Sequence, residues 1–277
     1  MTASPPEFPA VRCELVGRVG VISLNRPEAL NAWNGDIKRG LDGALQWATE
    51  DDRVGAVVIT GVGRAFCAGA DLSAGSTTFG QAGERGPDDD MEGRTPAMLP
   101  WDVPKPVVAA VNGHAVGVGA TYALACDLRV VAETAKIGFV FARRGMLPEL
   151  ASHAVLPRVV GFSNAADLLL SGRVIDGNDA VAMGLAWAAL PVAEVVSAAI
   201  ARADEMARLS APLSMAISKR LLWEQMGVTA MQRREEPLFA WLAEQTDAEE
   251  GVGSFLDKRD PDWELSVSAD FPHDFFP

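Results

Sequence analysis

Two glycine-containing stretches, "GRAFCAGADLS" (63–73) and "GHAVGVGATYALACD" (113–127), have the composition for chemistry done by the main chain rather than by side chains. Each follows a short apolar run, "VGAVVITG" and "VPKPVVAAV", of the kind that forms a buried strand. Glycine has no Cβ, so another backbone or a ligand can approach closely. A strand that ends in small residues and feeds a helix leaves amide N–H groups free at the helix start, where the dipole favours negative charge. Two such turns facing each other would form an oxyanion hole, a pair of donors aimed at charge developing on a carbonyl oxygen. The same composition also serves close packing of a helix on a sheet, and the stretches alone are compatible with either use. Neither is a Walker loop, since no Gly-Lys-Ser/Thr occurs, and neither gives a dinucleotide fingerprint.

The surrounding elements read as an α/β chain. "VRCELVGRVGVISLNRP" holds two apolar runs about Gly17, a hairpin leading into a Pro-terminated turn. "NGDIKRGLDGALQWATEDD" places Ile37, Leu41, Leu45 and Ala48 at helical spacing. "VGAVVITG", "VPKPVVAAVNG" and "CDLRVVAETAKIGF" are three candidate buried parallel strands, and strands alternating with helices imply crossovers that cover the sheet. From Gly75 to Pro100 the composition turns to Gly, Thr, Asp, Glu and Pro, including "PDDDMEGR"; this insert reads as a solvated mobile loop or marginal helix, set between the two glycine-rich motifs where it could cover a pocket. Beyond Ser163 the pattern is helical, with Trp and Phe suited to core or subunit packing. A boundary near residue 205 separates an α/β body (1–205) from a helical part (206–277).

Composition narrows the function. With 277 residues, 49% hydrophobic and 22% charged, the chain is ordinary globular protein. A net charge of −13 argues against a nucleic-acid partner, whose phosphates need a basic surface. Cys13, Cys67 and Cys126 are too few and too irregular for a disulfide framework or a zinc site, so no metal is expected. No secretory signal is visible and no apolar run spans a membrane, so the chain reads as cytoplasmic, with no membrane partner.

Taken as a set and in order, "LNRPEALNA", "GRAFCAGADLS", "PKPVVAAVNGHAVGVGA", "CDLRVVAETAKIGF" and "DAEEGVGSFLDKRDPDW" resemble the crotonase superfamily, the enoyl-CoA hydratase and isomerase family, over roughly residues 10–263. The resemblance implies a crotonase-like (ClpP/crotonase) α/β spiral of ββα units and a C-terminal helical trimerisation region, assembled as a homotrimer or a dimer of trimers. It implies an acyl-CoA thioester substrate, with coenzyme A part of that substrate and no separate cofactor, and an enolate held by two backbone amides. Those donors fall at Ala70 and Val118. The implied substrate-binding positions are Ala29, Arg64, Ala68, Gly69, Asp71, Leu72, Gly117, Thr121, Phe141 and Lys258, with Arg64, Lys258 and Arg259 toward the CoA phosphates. Glu28 stands where relatives often carry Lys.

The chain departs from the hydratase pattern. The two glutamates that hold the added water in hydratases of this family would fall at Thr121 and Phe141, and neither side chain is a general base near neutral pH. Glu149, in "RRGMLPELASH", matches the catalytic glutamate of the Δ3,Δ2-enoyl-CoA isomerase branch instead. One carboxylate suffices there, because the base that removes a C2 proton can return it at C4. An apolar pocket would raise its pKa toward a useful range. Without the resemblance, Glu149 reads as the first-turn residue of a helix after Pro148, sharing a face with His153 four residues on. Asp71 reads as a helix cap, and Asp127 with Arg129 as a polar pair beside the sheet. The expected function is isomerase-type proton transfer. The alternatives are hydration by Glu149 alone with water placed by Thr121, and a catalytically inert acyl-CoA-binding scaffold.

Overall fold

The computed structural model of the protein describes residues 4–75, 78 and 96–276. Strands β1 (Val11–Val16) and β2 (Val19–Leu24) form the expected antiparallel hairpin, turning at Gly17 with φ +59. From β2 the sheet continues in parallel through β3 (Ala56–Gly61), β5 (Val107–Val111), β7 (Leu128–Ala132) and β10 (Ala188–Leu190). Every residue of β3 and β5 is buried, which is why these runs are uniformly apolar rather than alternating.

A second sheet, in the order β4-β6-β8-β9, is built from β4 (Ala65–Cys67), β6 (His114–Val116), β8 (Ile137–Gly138) and β9 (Val174–Ile175). The chain passes from β3 to β4, from β5 to β6 and from β7 to β8, alternating between the two sheets. After β6 comes α2 (Val118–Leu124) and after β8 comes α3 (Ser152–Ser171), so the repeating unit is strand, strand, helix. This is the ββα spiral implied by the resemblance. Helix α1 (Gly35–Glu50) buries Ile37, Leu41, Leu45 and Ala48, the four residues whose spacing predicted it.

Helix α4 (Gly177–Ala182) precedes β10, and α5 (Val192–Leu209) then packs Ala199, Ala203 and Ala207 on the first sheet. Residue 205 lies inside α5, and the first break after it is at Ser210. The remainder is helical, with α6 (Pro212–Glu224), α7 (Val228–Ala243), α8 (Thr246–Asp257) and α9 (Val267–Asp270). Most of the 75–100 insert, including "PDDDMEGR", lies outside the described residues.

The expected Asp127–Arg129 pair does not form. Asp127 Oδ2 accepts the Val107 amide (2.7 Å) and pairs with buried Lys219 (2.7 Å), while Oδ1 accepts Trp223 Nε1 (2.9 Å). Arg129 donates to the carbonyls of Leu185 (2.5 Å) and Cys126 (2.7 Å) and, at longer range, to Ala123 and Leu124. The last turn of α2 leaves carbonyls without helical partners, and a guanidinium satisfies several at once. Asp127 in turn fastens α6 to the sheet.

Candidate active site

The first glycine turn follows β4. Segment 29–33 runs beside it: Ala68 N donates to Leu30 O (3.1 Å), Trp33 N to Gly69 O (2.8 Å) and Asp71 N to Trp33 O (2.9 Å). This is a parallel bridge of Trp33 with Ala70. A residue bracketed in that way turns its own N–H and C=O to the opposite side. Among the described residues the Ala70 amide donates to nothing. The segment is fixed by Asn31, fully buried and left-handed at φ +55, whose side chain accepts the Arg26 amide (2.8 Å) and donates to Val62 O (3.1 Å) and Ala65 O (2.8 Å). Sequence reasoning missed Asn31; its one signal was that asparagine tolerates left-handed backbone better than other residues with a Cβ.

The second turn is Gly117, at φ +57, which caps α2. Its carbonyl accepts the amides of Ala120 (2.9 Å) and Thr121 (3.1 Å). The Val118 and Gly119 amides ahead of them donate to nothing among the described residues, as at any helix start. The two turns touch through backbone. A Cβ on Gly117 would lie 3.7 Å from Gly69 Cα, one on Gly69 3.1 Å from Val116 O, and one on Gly119 2.2 Å from Cys67 O. Glycine is therefore required at 119 by close approach, and at 69 by φ +108.

Glu149 reaches this region from a different element. Leu150 and Ala151 are both left-handed, at φ +52, so the chain kinks between Glu149 and α3. Glu149 is consequently not on the helix, and the face it was expected to share with His153 does not exist; His153 is exposed on α3. The Glu149 carbonyl accepts Ser152 N (3.2 Å) and Ser152 Oγ (2.5 Å), and Ser152 is fully buried. The Glu149 side chain runs inward, where Oε1 accepts the hydroxyl of Thr121 (2.8 Å) on α2. The residue as a whole is exposed, but its carboxyl end rests on a side chain with no accessible surface. Burial raises the Glu149 pKa, and the Thr121 hydrogen bond offsets part of that rise.

The remaining candidates divide. Ala29, Ala68, Ala70 and Val118 are half-buried around the two turns, and Leu72, just beyond, is exposed. Thr121 has no exposed surface to offer a ligand; its hydroxyl serves Glu149 and the Val118 carbonyl instead. Phe141 is half-buried against the core. Asp71 caps no α-helix among the described residues: Oδ1 accepts the Ser73 amide (3.0 Å) in an Asx turn and Oδ2 pairs with Arg26 (3.0 Å). The Ser73 amide, ahead of Arg26, holds the Asp71 carboxyl below its ordinary pKa. Arg64 and Lys258 are exposed, and no described contact joins either to the two turns. Arg259 is engaged by Glu250 (2.6 Å) and Asp257 (3.7 Å). A cavity of about 430 Å³ lined by Trp101, Lys219, Phe271 and Phe276 shares no residue with these turns. Among the described residues no group of three His, Cys, Asp or Glu could hold a metal.

The model of the family described as "Enoyl-CoA hydratase/isomerase" matches residues 14–266. The chain belongs to the enoyl-CoA hydratase/isomerase family. It is similar to the 2,3-dehydroadipyl-CoA hydratase of Escherichia coli K12, 35% identical with 89% of this chain and 95% of that protein covered. Among solved structures it is similar to a probable enoyl-CoA hydratase/isomerase of Mycobacterium abscessus (38% identical, TM-score 0.84, covering 92% of this chain and 98% of the other). It is also similar to the enoyl-CoA hydratase of Mycobacterium tuberculosis (30% identical, TM-score 0.82, 92% and 99% covered). The spiral and its helical C-terminal region are thus the crotonase fold, and the protein is an enzyme of the hydratase/isomerase family.

Proposed function

We propose that the protein isomerises an unsaturated acyl-CoA thioester by moving one proton. The Ala70 and Val118 amides take up charge on the thioester oxygen while Glu149 removes a proton from C2 and returns it at C4. The observation that carries this reading is the Thr121–Glu149 hydrogen bond. Helix α2 presents the Val118 amide at its first residue and, one turn later, the Thr121 hydroxyl that holds Glu149, so donor and base are tied to the same helix although Glu149 comes from another element. Each donor is worth about 3 kcal/mol to the transition state, judged from removal of single oxyanion-hole donors. A carboxylate raised by burial is also a stronger base than an ordinary one.

Hydration is the second reading, favoured by the hydratase name of the Escherichia coli relative. Against it, Thr121 is too deeply buried to place a water, and Phe141 has no polar group. Coenzyme A enters as part of the substrate and no other cofactor is used; Lys258 and Arg64 are the cations proposed for its phosphates. Exposed Phe239, Val252, Phe255 and Leu256 on α7 and α8 support assembly with further copies, as a homotrimer or a dimer of trimers. Incubation with 3-enoyl-CoA and 2-enoyl-CoA in separate reactions tests the reading. Conversion of the first without water uptake supports isomerisation; hydration of the second as the faster reaction overturns it. Tight binding of both with neither reaction supports a scaffold.

A further inference from the structure

Thr121 has one hydroxyl hydrogen and two acceptors in reach, Glu149 Oε1 at 2.8 Å and the Val118 carbonyl at 3.1 Å. A hydroxyl donates fully to only one acceptor at a time. We propose that Thr121 is a positioning residue acting as a two-position switch: it donates to Glu149 Oε1 while Glu149 is ionised and turns to the Val118 carbonyl once Glu149 has taken the substrate proton. This rests on the reading of Glu149 as the base.

The geometry assigns each atom a task. The bond from Thr121 occupies Oε1, and we assign Oε2 to the substrate. When the C2–H bond breaks, its proton passes to Oε2 and its electron pair into the dienolate, with charge on the thioester oxygen. Glu149 is then neutral, and the hydrogen bond from Thr121 loses the assistance of charge, which makes bonds to ionised groups roughly twice as strong. The Val118 carbonyl becomes the competitive acceptor. When the Oε2–H bond breaks and C4–H forms, Glu149 regains its charge and the hydroxyl swings back. Thr121 is fully buried, so a second internal acceptor keeps its hydroxyl paired in both states.

The charged groups on the neighbouring elements are Arg143 and Arg144 in the 140–144 turn, His153, Arg158 and Asp167 on α3, the last paired with Arg173, and the Arg26–Asp71 pair at the first glycine turn; α2 adds only the phenol of Tyr122. None of these sets the Glu149 carboxyl. Burial raises it, and the Thr121 hydroxyl and its own backbone amide lower it.

The test is exchange of the C2 hydrogens of butyryl-CoA in deuterated water, followed by NMR across pH for wild type, Thr121→Val, Thr121→Ser and Glu149→Gln. Thr121→Val is expected to move the acidic limb to higher pH, so that below the limb exchange falls about tenfold further, the worth of one hydrogen bond to an ionised group. The high-pH plateau is kept, and Thr121→Ser, which retains the hydroxyl, brings the limb back. A wild-type limb in Thr121→Val overturns the switch, as does a uniform loss at every pH in both Thr121 variants. Exchange that survives in Glu149→Gln, or is absent from wild type, overturns the reading of Glu149 itself.

Discussion

Trp33 fastens one glycine turn to the other: its backbone brackets Ala70 on both sides, and its ring lies 5.1 Å from that of Tyr122 on α2, the helix that begins with the Val118 amide. Aromatic pairs at that spacing contribute about 1 kcal/mol beyond their burial. The two proposed donors are held at a fixed separation by this tilted ring contact as well as by glycine contact.

That arrangement predicts an unusual tolerance at Tyr122. Its hydroxyl is fully buried and has no partner among the described residues, a desolvation cost with no return. Tyr122→Phe keeps the ring against Trp33 and is expected to leave stability unchanged or raise it by about 1 kcal/mol. Denaturant unfolding checks this, and a clear loss of stability would show that the hydroxyl has a partner after all.

Gly119→Ala is expected to be severe. The added methyl would sit 2.2 Å from the Cys67 carbonyl, backbone that cannot swing away, and overpacking of this kind costs about 3 kcal/mol. Loss of folded yield or of acyl-CoA turnover is the expected result; a variant with wild-type melting and activity would mean that the Cys67 carbonyl does not pack this closely on Gly119.

Glu149 links activity to stability with a definite sign. Its pKa is raised in the folded state, so the fold disfavours its charged form: stability is fully present below the unfolded pKa and is lost as pH rises through the folded one. Glu149→Gln is therefore expected to melt higher than wild type at pH 7, with the gap closing below about pH 4, where both states are protonated. Thermal melts across that range check it. If Glu149 is the base, the same substitution is expected to abolish proton transfer.

Lys219 is the fourth point of attack. It is buried, paired with Asp127, and donates to the carbonyls of Pro100 (2.7 Å) and Lys105 (2.9 Å). Lys219→Met leaves Asp127 without its cation and is expected to cost about 3 kcal/mol. The loss should shrink in Lys219→Met/Asp127→Asn, and chemical denaturation of the pair of variants reads the difference.

Much of this was legible in the sequence because burial writes itself into composition. The apolar runs of β3 and β5 and the Ile37, Leu41, Leu45, Ala48 spacing of α1 are buried residue for residue. The glycines at 69, 117 and 119 announced close backbone approach, and the structure puts those backbones in contact. What stayed hidden depended on long-range geometry. Nothing in "LPELAS" distinguishes a helix start from two left-handed residues that throw Glu149 off the helix. Nothing in "CDLRV" says that Asp127 will meet Lys219 from α6 while Arg129 turns to helix carbonyls. Polar side chains choose partners by position in space, and sequence spacing carries little of that.

The central claim is that the amides of Ala70 and Val118 receive one thioester oxygen. A crystal structure with a non-reactive acyl-CoA analogue tests it most directly. The account predicts the carbonyl oxygen within about 3.2 Å of both nitrogens, with C2 facing Glu149. An analogue bound with that oxygen out of hydrogen-bond range of the two amides would contradict it.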